Sequence, residues 1–227
     1  MNISVVLAGV LLAGAVWTGL LFRLRAQPWQ RVGYRASARR GTWPALAAGT
    51  AGLNVFMIAA TCLFALLAGA CYLRSLLPGW NPVPLPRLLW LNTALLVLAS
   101  GALASACRTL AGGARAALRR DLLGGALLAL AFLGGQWLAC RQLYVEGFSP
   151  ASSADASFFY LFTALHGAQL CGGLCVLART SYRVARGGLA MPAPVAQALA
   201  LNVRLCAVYW HYLLLLWLAL FALLSLT

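Results

Sequence analysis

Six stretches of this chain are each long and apolar enough to cross a bilayer as one helix: about Ile3–Phe22, Ala45–Cys71, Leu88–Ala106, Leu122–Cys140, Ser157–Ala178 and Val203–Leu226. A spanning helix needs roughly 20 such residues. In lipid every backbone N–H and C=O must be satisfied within the segment, which leaves the helix as the only structure these runs can adopt singly. The chain is therefore expected to be all-α, a polytopic membrane helical bundle of about six transmembrane helices. Residues 1–44 would form an N-terminal helix and a basic loop, and residues 45–227 a five-helix core. The first run lacks a basic segment ahead of it, and Arg23 and Arg25 follow it. It reads as a retained helix rather than a signal peptide.

Charge supports the same reading. Only 9% of the residues are charged and 63% are apolar, with mean hydropathy +0.87, whereas a soluble domain carries about 25% charged residues. The chain has no lysine; its acids are Asp121, Glu146 and Asp155. A net charge of +14 would fit nucleic acid if the cations formed a patch. Instead they sit in the connections between apolar runs. Arg23, Arg25, Arg31, Arg35, Arg39 and Arg40 lie in the first connection, Arg108, Arg115, Arg119 and Arg120 in the third. Arg179, Arg183, Arg186 and Arg204 lie in or beside the fifth. Only Arg74, Arg87 and Arg141 lie at the second and fourth. The positive-inside rule then puts the odd connections in the cytoplasm and both termini outside.

The remaining polar features have structural readings. Ser152-Ser153-Ala154-Asp155 resembles a capping box, and Asp121 is placed to cap the fourth helix. Glu146 falls in an outer loop and reads as solvated. Pro78 to Pro86 forms a proline-stiffened loop whose Trp80, with Trp90 beyond it, suits an interfacial aromatic belt. The seven cysteines show no CxxC and no zinc spacing and read as small apolar fillers. No fixed-period repeat is present, which disfavours an inverted-repeat transporter.

His166 and His211 are the histidines of the chain, and each falls near the middle of an apolar run. A polar ring at that depth is a functional-site hypothesis. Haem or metal ligation is one reading, but no intramembrane carboxylate or further histidine joins them. The other is a neutral imidazole hydrogen-bonded between helices, and the residues favour it. For His211, whose one-turn neighbours are apolar, the partner must come from another helix. Ala164, Ala168 and Gly172, with Gly167 and Gly173 beside them, make a small-residue stripe of the kind that lets helices approach closely. No Ser/His/Asp set, HExxH or phosphate loop occurs. The sequence assigns the chain no catalytic, cofactor-binding or metal-ligating residue.

Five stretches resemble subunit III of the haem–copper terminal oxidases, the cytochrome c oxidase family. They are Gly52 to Phe56 through Tyr72-Leu73-Arg74, Pro86-Arg87 to Trp90-Leu91-Asn92-Thr93, and Phe132 to Gln136-Trp137 with Arg141-Gln142-Leu143. The two most specific are Ser157-Phe158-Phe159-Tyr160 to His166-Gly167 with Gly172-Gly173, and Tyr209-Trp210-His211 with Trp217-Leu218. The resemblance implies a non-catalytic subunit that binds neither haem nor copper. It would pack beside subunit I and subunit II, which hold those groups, and carry phospholipid in a cleft within a bacterial inner membrane. Dioxygen reduction to water would belong to the partner. Trp90, Asn92, His166, Tyr209, Trp210, His211 and Trp217 are then the helix-packing or lipid-cleft candidates. The chain departs from the family where acids are usual: Ala60 or Thr61, Leu214 and Arg204 stand there, and Gln169 replaces a second histidine. Each change removes or reverses an ionisable group, which weakens any proton-supporting role and leaves bracing and lipid holding. One helix precedes the core, where many relatives have two. The alternatives are an accessory protein of a nitric oxide reductase, a stand-alone transporter, and a membrane enzyme using both histidines.

Overall fold

A computed structural model describes residues 43–80, 82–186 and 193–226. These form five helices: α1 (Trp43–Ser75), α2 (Leu88–Ala111), α3 (Arg115–Val145), α4 (Ala154–Arg186) and α5 (Ala193–Leu226). All five are long and apolar enough to cross a membrane. The predicted first helix, Ile3–Phe22, lies outside the described residues. Gly52–Thr227 forms one compact unit.

The helices overrun the predicted apolar spans. At about 1.5 Å per residue, α3 with 31 residues and α4 with 33 are nearer 50 Å than the roughly 30 Å of the hydrocarbon core. The extra turns carry arginines, with Arg115, Arg119 and Arg120 opening α3 and Arg179, Arg183 and Arg186 closing α4. Hydropathy detects only the lipid-facing middle of such a helix, so it trims both ends.

Turns are set by local chemistry. Pro84 and Pro86 favour extended backbone in the residues before them, and α2 begins directly after, with Leu89 N–H donating to the Pro86 carbonyl. α2 and α3 each end in the same device. Gly113 (φ 71°) and Gly147 (φ 95°) occupy the left-handed region, which glycine enters without a Cβ clash. Ala114 N–H then reaches Thr109 O and Gly113 N–H reaches Leu110 O, while Phe148 reaches Leu143 and Gly147 reaches Tyr144. This is the paired closure of a Schellman motif.

Two predicted caps are corrected. Asp121 does not cap α3, because Arg115 begins that helix six residues earlier. It is buried within the helix, accepts a hydrogen bond from Ser105 Oγ at 2.7 Å and faces Arg120 at 3.3 Å. Ser153, with its Oγ 3.4 Å from Ala156 N, is the cap of α4, and Asp155 turns inward instead. Glu146 accepts a hydrogen bond from Gln142 at 2.9 Å. Trp80, predicted for the interfacial belt, is partly buried against the Phe64, Cys71, Phe162 and Leu220 cluster. Cys71 and Cys206 are buried fillers as predicted, but Cys62, Cys171 and Cys175 face outward.

α3 packs on α2 over the greatest length; α5 packs on α2 and α4, and α4 on α3. α1 makes no comparable backbone approach and joins the others through its side chains. The outward surface is covered by large apolar groups such as Leu66, Leu127, Trp137 and Val176, as lipid requires.

Candidate functional site: the polar and aromatic core

Of the predicted residues, Asn92, His166 and Trp217 come together where α2, α3, α4 and α5 meet. Gly135 makes this possible. A Cβ at Gly135 would lie 2.0 Å from Asn92 Oδ1, so α2 and α3 approach closely only because that position has no side chain. Asn92, fully buried, donates from Nδ2 to Gln136 Oε1 at 2.6 Å. Beside it, Thr93 Oγ1 accepts from Trp217 Nε1 at 2.9 Å, tying α2 to α5.

Trp217 is the hub of the aromatic part. Its ring meets the edge of Phe132 at 5.2 Å, stacks with Phe221 at 6.2 Å and lies 5.4 Å from the His166 ring. His166 also meets Phe132 edge-on at 5.8 Å. Neither His166 nitrogen has a hydrogen-bond partner, although only 1% of the residue is exposed. The prediction of an imidazole hydrogen-bonded between helices therefore fails for His166, which is held by rings. His211 does bond: its Nδ1 lies 3.1 Å from Ser100 Oγ on α2.

Tyr209 and Trp210 sit where α5 crosses α4. A Cβ at Gly173 would come within 2.8 Å of Tyr209 Cε1 and 2.9 Å of Trp210 Cζ3. The phenol of Tyr209 donates to the Gln169 carbonyl at 3.1 Å. Gly173 is thus the close-approach residue of α4. Ala164, Ala168 and Gly172, the predicted stripe, are exposed on its opposite side. Trp90 stands apart from the core: it is 70% exposed, its ring edge-on to Phe221 at 4.9 Å.

Sequence reasoning missed Ser100, Gly135 and the partnership of Asn92 with Gln136. An amide side chain inside each of two apolar runs, one of them following a Gly-Gly pair, was the available signal. Among the described residues no group of three or more His, Cys, Asp or Glu side chains is placed to hold a metal. Interlocked amides, rings and hydroxyls of this kind fix helix positions.

The model of one family, cytochrome c oxidase subunit III, matches residues 20–226. The chain is 39% identical over 95 residues to a probable cytochrome c oxidase subunit 3 of Mycobacterium bovis, covering 42% of this chain and 44% of that protein. A Nocardia farcinica protein described in the same words is 32% identical over 96 residues, again 42% and 44% of the two lengths. The cytochrome c oxidase subunit 3 of Synechocystis is 24% identical over 177 residues, 76% of this chain and 72% of that one. The aligned stretch thus spans less than half of the mycobacterial and nocardial proteins. With a family match that reaches across all five described helices, the chain belongs to the cytochrome c oxidase subunit III family.

Proposed function

We propose that the chain is a non-catalytic, multi-pass subunit of a respiratory terminal oxidase in a bacterial inner membrane. Its helices brace haem–copper subunit I, and subunit II beside it, while dioxygen reduction takes place in those partners. The carrying observation is the use made of the bundle interior. His166, the most deeply buried imidazole, is enclosed by Phe132 and Trp217, an arrangement suited to packing. The arginine distribution supports termini on the outer face. The arginines at the inner ends of α3 and α4 would also attract anionic lipid headgroups, by about 1 kcal/mol per cation near the surface.

The test is purification of the native assembly through a tag on this chain, followed by an optical spectrum and mass spectrometry. Haem-bearing partners should accompany the chain, and the chain separated from them should carry no haem. A tagged chain that emerges alone, or one that retains haem after separation, would refute the proposal.

A further inference from the structure

Asp155 lies in the first turn of α4 and is 4% exposed. Neither of its carboxylate oxygens has a hydrogen-bond partner. It lines a small pocket, open on one side, whose walls include Trp80, Pro82 and Val83 of the α1–α2 connection, Phe159 of α4 and Leu224 of α5. The positive end of α4 favours a negative charge there. A buried carboxylate also needs hydrogen-bond donors or a counter-charge, and buried polar groups in folded proteins have them. This chain has 17 arginines, yet among the described residues none pairs with Asp155.

The pocket narrows what such a donor can be. Apart from Asp155 its described lining residues are apolar, aromatic or Cys71, and Trp80 and Phe159 are among them, rings of the kind that attract a cation. The enclosed room in the pocket is about that of one water molecule, which is also the size of an ammonium group. The α1–α2 connection runs beyond the spans that end at Ser75 and resume at Leu88, so the group enters from the water-facing side. We propose that Asp155 is the receptor for a lysine ammonium carried by a loop of a partner polypeptide. This rests on the reading of the chain as a subunit of an assembly.

The experiment compares wild type with Asp155→Asn in the tagged native assembly. Removing one member of a buried charge pair weakens association at least about tenfold. Retention of the partner in mild detergent should therefore fall by that factor, while the isolated full chain unfolds at the same temperature or higher, having lost an uncompensated charge. A zero-length carbodiimide coupling then identifies the source. This chain contains no lysine, so an Asp155–lysine amide found by mass spectrometry is necessarily intermolecular. Unchanged retention, or equal destabilisation of the isolated chain, would overturn the proposal. An Asp155 adduct to an aminophospholipid would also overturn it and assign the pocket to lipid. If the partner lost by Asp155→Asn belongs to no haem-bearing assembly, the pocket proposal stands and the oxidase reading fails. If a haem-bearing partner stays bound to both variants, the reverse holds.

Discussion

α1 and the α2–α5 group are built on different terms. Between α2 and α3, glycine faces a side chain at two levels: Gly135 opposite Asn92, and Gly125, whose Cβ would meet Leu103 at 3.2 Å. Gly173 does the same between α4 and α5. Gly52 and Gly69 of α1 face open space. α1 instead reaches across with long side chains: Phe64 to Phe162 at 6.5 Å, Phe56 to Tyr209 at 6.0 Å and Thr61 Oγ1 to the Tyr212 hydroxyl at 3.3 Å. In lipid, burying apolar surface gives no net drive to associate, and close packing with interhelical hydrogen bonds must supply it. Backbone-close pairs collect more dispersion along their length than contacts through side chains alone. The α2–α5 group is therefore the stable unit, and α1 the helix most easily released.

The largest expected effects test that difference directly. Trp217→Ala removes the hub ring and leaves Thr93 without its donor, and should cost about 3–5 kcal/mol, the scale of buried Trp→Ala changes. Detergent denaturation should show all of α2–α5 losing stability together. Phe64→Ala deletes a ring that is also buried, but its loss should appear in α1 alone. Amide hydrogen exchange should rise along α1 while protection in α2–α5 holds. Uniform exchange across all five helices in the Phe64 variant would break the comparison.

Two adjacent glycines sharpen it at a smaller scale. Gly173→Ala pushes a methyl into the rings of Tyr209 and Trp210, which cannot yield without moving α5. A cost of roughly 1–3 kcal/mol follows. Gly172→Ala meets nothing within 4 Å and should be neutral or stabilising by up to about 1 kcal/mol from helix propensity. Thermal unfolding of the two variants side by side gives the answer. Similar destabilisation by both would mean that the Gly172 face is itself packed, and the small-residue stripe would regain the role the sequence suggested.

The stripe shows where sequence reading stops. The five described spans and the class were legible because bilayer thickness imposes a length that hydropathy reports. Trp217, Tyr209 and Trp210 were legible as packing groups because large aromatics in a specific motif have few other uses. Which face of α4 points inward was not legible. Both faces carry small residues, and Gly172 and Gly173 differ by one position, about 100° around the helix. Asp121 misled for a related reason: an acid beside basic residues at the edge of an apolar run looks like a cap, but α3 extends past it. Ser100 is a small hydroxyl in an alanine-rich run, and only the crossing of α2 and α5 brings it to His211.

The smallest effects concern single interhelical hydrogen bonds. In membranes these average about 0.6 kcal/mol, because the separated helices find other partners. His211→Leu removes the link to Ser100 between α5 and α2 and should cost about that much, lowering detergent resistance slightly. Thr61→Val removes the α1–α5 link to Tyr212 and should cost less. Thr61 Oγ1 also donates to the Met57 carbonyl at 2.7 Å within its own helix, so its one proton is already engaged there. A double-mutant cycle of His211→Leu with Ser100→Ala reads the pair apart from the volume change. Coupling above about 2 kcal/mol would show the imidazole holding α2 and α5 more firmly than one neutral bond allows. Zero coupling would mean that the glycine-mediated contacts, Trp217 and the Tyr209 and Tyr212 links hold α5 without help from His211.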